Sequence, residues 1–142
     1  MDEIFRKLSK EGGMFGMSGV SPDMRDIEVI AGGGSPGAAR AKLAIDAFVE
    51  SVRGFIGQYL VALGGCDVLA FTGGIGENGV AIREAICRNL HWAGIVLDPH
   101  KNPVRGREEK ISSVESDTEI WIVPTNEELI VARQTAAVLN AN

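Results

Sequence analysis

The stretch Gly74-Ile75-Gly76-Glu77-Asn78-Gly79 combines close glycine spacing with a place between an apolar run and a helical pattern. Glycines at such a junction let backbone N–H groups and the positive end of a helix approach an anion, and phosphate is the anion this suits. The spacing also satisfies G-x-G-x-x-G. Asp98, at the end of the next apolar stretch, lies near the distance of about 20 residues expected of a dinucleotide-binding carboxylate. Against that reading, Glu77 would set a carboxylate beside a pyrophosphate, and only one confident strand follows Asp98. A purely structural turn, with Asn78 capping the next helix, accounts for the spacing equally well.

A second group, Thr125-Asn126-Glu127-Glu128, follows a strand-like run ending at Val123. Thr125 as N-cap with Glu128 three residues on predicts a capping box, each side chain satisfying the other's backbone N–H. Glu127 is then left without a structural task at the C-terminal edge of a strand, where open α/β sheets bind ligands. Magnesium, which takes one or two carboxylates and keeps several waters, would suit it; a solvated place in the first helical turn would suit it too. The third group, Ser21-Pro22-Asp23-Met24-Arg25, reads as a helix start with Ser21 at the cap and Pro22 at the first helical position. Asp23 and Asp26 complement the helix dipole, and Asp23 and Arg25 are not expected to face one another. His91 and His100 are the only histidines, and neither has a nucleophile nearby in sequence, so a triad hydrolase has no support.

The elements that must position these groups follow from periodicity. Residues 2–10 form an amphipathic helix candidate, broken into a loop by Gly12, Gly13 and Gly16. The helix starting at Ser21 runs toward Ile30 and ends at Gly32-Gly33-Gly34, after which Ser35-Pro36 starts a long one. Its apolar face is Ala44, Phe48, Val52, Phe55, Ile56, Tyr59 and Leu63. The continuous apolar run Asp67–Thr72 predicts a central strand buried on both faces. Ile82, Ile86 and Leu90 mark a helix ending near Gly94, and Ile95-Val96-Leu97 is strand-like, which makes a β-turn-α-β unit. Lys101–Lys110 is charged and turn-rich, a solvated loop without assigned function. Glu119–Val123 is a second confident strand, closed by Pro124 and followed by a helix from about Asn126. Helices alternating with apolar strands define an α/β domain with parallel strands and flanking helices.

At 142 residues, with 45% hydrophobic, 23% charged and 6% aromatic side chains, the chain has the balance of one globular domain, residues 1–142. The net charge of −5 with scattered cations offers no basic face, so nucleic acid is not an expected partner. No apolar stretch approaches the roughly 20 residues of a membrane span, and Met1-Asp2-Glu3 lacks a basic leader, so a cytoplasmic protein is expected. Cys66 and Cys87 sit inside apolar patterns without metal-ligand spacing, and small buried thiols are the expected outcome.

Taken together, three runs resemble the acetate kinases of the acetokinase family. They are Gly16-Met17-Ser18-Gly19-Val20-Ser21-Pro22-Asp23-Met24-Arg25-Asp26, Phe71-Thr72-Gly73-Gly74-Ile75-Gly76-Glu77-Asn78, and Pro124-Thr125-Asn126-Glu127-Glu128-Leu129. Gly94–Asp98 and Lys101-Asn102 are also similar to the family, and the resemblance covers nearly the whole chain. It implies an actin-like ATPase fold of ribonuclease-H-like domains, of which this chain resembles the C-terminal portion. It further implies phosphoryl transfer between ATP and a short-chain carboxylate (acetate, propionate or butyrate), with ATP or ADP and Mg2+ as cofactors and a homodimeric assembly.

Residue by residue, the resemblance puts Asp23, Met24 and Arg25 at the adenosine, Gly74, Ile75, Gly76, Glu77 and Asn78 along the nucleotide, and Glu127 at the magnesium ion. Gly32-Gly33-Gly34-Ser35-Pro36 is richer in glycine than the family's usual segment. The family's His-Leu-Gly-Asn-Gly segment, catalytic arginines and histidine, and acetate pocket lie upstream of the part matched. The expectation is therefore a portion inactive by itself and without catalytic residues of its own. The rival readings are a nucleotide-binding or interaction module without chemistry, and a fragment of an NAD-binding dehydrogenase.

Overall fold

A computed structural model describes residues 2–140, without the side chains of Asp2 and Glu127. The residues group into two compact units, one running through Cys66 with Glu84–Asn89, the other comprising Asp67–Arg83 and the residues from Leu90 on.

In the first unit, α1 (Asp2–Arg6) passes into a π-helical turn, Lys7–Glu11. The glycine-rich segment that follows is a helix, α2 (Gly13–Ser18), where a loop is expected from sequence. Burial overrides the low helix propensity of glycine here: Met14 packs against the core cluster of Ile27, Ala41 and Ala44. Gly19, left-handed at φ 69°, ends α2 with its N–H on the Phe15 carbonyl.

Helix α3 spans Met24–Ala31, and its cap is Asp23, two residues beyond the Ser21 start that the sequence suggests. Ser21 instead closes the approach: its hydroxyl accepts from Asp23 N–H at 3.0 Å and donates to Asp26 at 2.7 Å. Helix α4 (Ala38–Leu63) starts after Gly37 with no side-chain cap, so Ser35-Pro36 forms the preceding turn and not the first helical turn. Its buried positions are Ala41, Ala44 and Val49, and the small Ala41 and Ala44 pack with Ile27 of α3 and Met14 of α2. Farther along, Phe55, Tyr59 and Leu63 are exposed, so the stripe read from periodicity is covered only in part.

The second unit is built on a mixed three-stranded sheet, β1 (Val68–Phe71), β2 (Glu109–Lys110) and β3 (Glu119–Ile122), in the order β1-β3-β2. β1 and β3 are parallel, with Phe71 opposite Ile122, and β2 joins β3 antiparallel. Parallel pairing of the two confident strands is as expected, but their places are exchanged. β3 is central, with Ile120 and Ile122 fully buried, whereas β1 lies at an edge of the described sheet with Phe71 its one buried residue. An apolar run reports what a strand can bury and not how many layers cover it. Ile95-Val96-Leu97 forms no strand; Leu97 makes a single antiparallel bridge to Ser112. The parallel return of a β-turn-α-β unit therefore comes from β3 and not from this segment.

After β1 come a short helical turn, α5 (Gly73–Asn78), then α6 (Val80–Cys87); α7 (Glu127–Asn140) follows β3. Cys87 is buried as expected, but Cys66 is only half-buried. Among the described residues no helix is long and apolar enough to cross a membrane.

Candidate functional site

Because β1 and β3 are parallel neighbours, their chains leave the sheet at the same edge, and Val123 N–H still bonds the Phe71 carbonyl at 2.8 Å. The glycine turn Gly73–Asn78 and the connection Pro124–Asn126 therefore emerge side by side. Gly73 takes φ +69°, a left-handed conformation that side chains disfavour, and turns the chain from strand into α5. A Cβ on Gly76 would stand 3.1 Å from the Phe71 carbonyl carbon, so a side chain here would crowd the end of β1. At Gly74 a Cβ would meet open space. Of these two glycines, Gly74 is the one whose bareness serves no packing purpose.

Glu77 ties the two connections together. Its Oε1 accepts from Thr125 N–H at 2.9 Å and from the Thr125 hydroxyl at 3.0 Å. The Thr125 backbone bond, followed by the hydroxyl and the Gly73 backbone, holds the Glu77 carboxyl below its usual range. A carboxylate in this turn is thus explained by the neighbouring strand connection. Asn78 does not cap α6; its amide donates to the Gly74 carbonyl at 3.0 Å and closes the glycine turn on itself.

The engagement of Thr125 also overturns the predicted capping box. Asn126 is the cap of α7, accepting from Leu129 N–H at 2.9 Å. Glu128 then falls one position short of the capping-box site, because Thr125 is drawn out of the helix start by Glu77. Asn126→Ala should lower unfolding stability by about 1 kcal/mol, and Glu128→Ala should leave it nearly unchanged, as read by urea denaturation. The opposite result would restore the Thr125 register.

Glu127 opens α7 at this same edge by its backbone, while its side chain lies outside the described residues. Among the described residues no group of three His, Cys, Asp or Glu could hold an ion unaided. Magnesium bound chiefly by phosphate oxygens and water needs only one or two carboxylates, and the position of Glu127 in the chain suits that arrangement.

In the first unit, Asp23 accepts Arg25 N–H at 2.9 Å and pairs with the Arg25 guanidinium, Nη2 to Oδ2 at 2.6 Å. The expectation that they would not meet fails because Asp23 is an extended cap residue whose side chain folds back over the first turn. Met24 between them is buried, leaving the carboxylate and guanidinium as the exposed groups. The Arg25 side-chain and backbone hydrogen bonds hold the Asp23 carboxyl down from 3.8 to about 2. Since the folded-state value is the lower one, the stabilisation is complete above about 3.8 and is lost as pH falls through about 2. An NMR titration should place the Asp23 midpoint near 2, and Arg25→Ala should raise it.

Asp98 is committed to a turn. Its Oδ1 accepts His100 N–H at 2.9 Å, and its Oδ2 lies 3.6 Å from Lys101 Nζ. That gives the Asp98 carboxylate, whose spacing fits a dinucleotide-binding role, a place in local structure.

Two features of the second unit belong to no motif. Arg83 is fully buried and donates to the Gly76 carbonyl at 2.8 Å, to Asn102 Oδ1 at 2.9 Å and to the Val104 carbonyl at 2.7 Å. Its place at helical spacing from Ile86 and Leu90 is the sequence signal that marks it as inward-facing. The segment expected to be only a solvated loop, Lys101–Lys110, instead contains buried Asn102 and the strand β2.

Parallel strands β1 and β3, leading at their C-terminal ends into a glycine turn and an acidic helix start, define an α/β protein. The chain belongs to the acetokinase family, whose profile matches residues 1–133. It is 48% identical over 128 residues to an acetate kinase of Syntrophomonas wolfei, covering 90% of this chain and 32% of that one. The crystal structure of Porphyromonas gingivalis acetate kinase superposes with a TM-score of 0.84 at 40% identity, covering 96% of this chain and 34% of that one. A propionate kinase from Francisella tularensis gives 0.79 at 38% identity, with 93% and 33% covered. The fold is thus that of the matching portion of these kinases, the actin-like ATPase class, and the chain spans about a third of the length of the relatives it matches.

Proposed function

We propose that this chain is the C-terminal, nucleotide-binding portion of an enzyme that transfers a phosphoryl group between ATP and acetate or a similar short-chain carboxylate. The observation that carries the reading is the glycine turn at the C-terminal end of β1, beside the β3 connection, with Gly74 bare toward open space. Within it, backbone groups of Gly74, Ile75 and Gly76 lie along the nucleotide phosphates, and Asn78 keeps the turn closed. Asp23 and Arg25 serve the adenosine end, Arg25 offering a planar cation suited to stacking or hydrogen bonding. Glu127 holds magnesium, which when bound neutralises charge on the phosphate oxygens.

Phosphoryl transfer is chiefly positioning and electrostatic stabilisation. These residues hold and orient the donor, and the groups that stabilise the transferring phosphoryl and bind the carboxylate come from the rest of the enzyme. Acetate and propionate kinases among the relatives leave both acceptors in play. The exposed Phe55, Tyr59 and Leu63 on α4 support self-association of the complete enzyme, and the reading places it in the cytoplasm with residues 1–142 acting as one nucleotide-binding portion. Titrating a Gly74 variant of the complete enzyme with ADP tests the reading: weaker binding supports it, and unchanged binding overturns it.

A further inference from the structure

We propose that the segment Asn102–Gly106 is a clasp that sets the position of the glycine turn, with Arg105 as its positioning residue; this rests on the nucleotide reading of that turn. The last carbonyls of α5 have no partner inside so short a helix and must be satisfied from outside. Three successive ones are met from one side. The Gly76 carbonyl accepts from Arg83 at 2.8 Å, the Glu77 carbonyl from Gly106 N–H at 3.3 Å, and the Asn78 carbonyl from the Arg105 guanidinium. Gly106 reaches its place with φ +59°, where a side chain would be strained.

The clasp has its own anchor. Arg83 bonds Asn102 and Val104, and Asn102 is buried with its amide on the Val80 carbonyl at 3.0 Å. Asn102–Val104 is therefore fixed to α6, while Arg105 and Gly106 remain exposed and extend from that anchor onto α5. Two guanidiniums at the carbonyl end of the turn also complement its negative pole. Arg105 acts on nucleotide through the Asn78 carbonyl: freeing that end lets the backbone of Gly74–Gly76 shift against the phosphates, and preorganisation is lost.

Because Arg105 is exposed, Arg105→Ala should fold normally. In the complete enzyme it should weaken ADP binding about fivefold, the size of one ordinary hydrogen bond's net contribution, because Arg105 acts on the ligand only through the Asn78 carbonyl, with the carboxylate KM and the thermal midpoint unchanged. Hydrogen exchange of the 142-residue chain should quicken at Gly74–Gly79 in that variant. Arg105→Lys should restore most of the affinity, since an ammonium can still donate to one carbonyl. Unchanged ADP affinity in Arg105→Ala while a Gly74 variant binds weakly would overturn the clasp and spare the nucleotide reading. Normal binding by both variants would overturn the two together. A parallel loss for both substrates with a lowered thermal midpoint would also overturn it, by showing a role in stability alone.

Discussion

Gly74→Val in the complete enzyme should raise the dissociation constant for ADP and ATP by about tenfold or more, equivalent to about 1.4 kcal/mol, with carboxylate binding retained. A Cβ at Gly74 meets nothing within 4 Å, and no left-handed φ is recorded there, so the fold should accept the valine. A helical valine is also intrinsically no worse than glycine. Gly76→Val is the instructive contrast. Its Cβ would press within 3.1 Å of the Phe71 carbonyl carbon before its methyl groups are placed, and overpacking of that kind costs about 1–3 kcal/mol. A loss of nucleotide affinity at Gly76 is thus confounded by strain at the end of β1, whereas a loss at Gly74 reports on the ligand. Isothermal titration with ADP, beside a thermal melt of each variant, separates the two. Full affinity in Gly74→Val would remove the nucleotide from this turn.

The 142-residue chain by itself should form acetyl phosphate at least about a thousandfold more slowly than a complete acetate kinase, since single electrostatic groups at such sites are commonly worth 10²–10³ in rate. Charge on the transferring phosphoryl must be met by cations aimed at it, and the guanidiniums described around the candidate residues are already engaged. Arg83 is taken by the Gly76, Asn102 and Val104 carbonyls, Arg105 by Asn78, and Arg25 by Asp23. Hydroxylamine trapping of acetyl phosphate from ATP, magnesium and acetate measures the rate. Turnover within about tenfold of the complete enzyme, far above the loss expected for missing electrostatic groups, would place a whole active site in these residues.

The elements that the chain's periodicity makes visible are those whose partners are local or whose pattern is long. Helices α3, α4 and α6 and strands β1 and β3 are legible because apolar residues recur at helical spacing or run unbroken between turn formers. The glycine turn and the acidic helix start are legible as motifs for the same reason, each being a few consecutive residues. Their separations carry the family resemblance, which the acetokinase match over residues 1–133 bears out.

Only the tertiary structure decides what depends on residues far apart in sequence. Thr125 looks like a cap until Glu77, 48 positions earlier, takes its N–H and hydroxyl, and the cap then passes to Asn126. The run Val68–Phe71 reads as a central strand until the β1-β3-β2 order sets it at an edge. The helix over Gly13–Ser18 is invisible because glycine's backbone freedom argues locally against it, and what outweighs that is the packing of half-buried Met14 against Ile27, Ala41 and Ala44. Sequence fixes the intrinsic preference of a segment, which is worth tenths of a kcal/mol to about 1 kcal/mol per residue. A buried side chain or a claimed hydrogen-bonding group contributes as much or more from a distant part of the chain, so the fold settles every case in which the two compete.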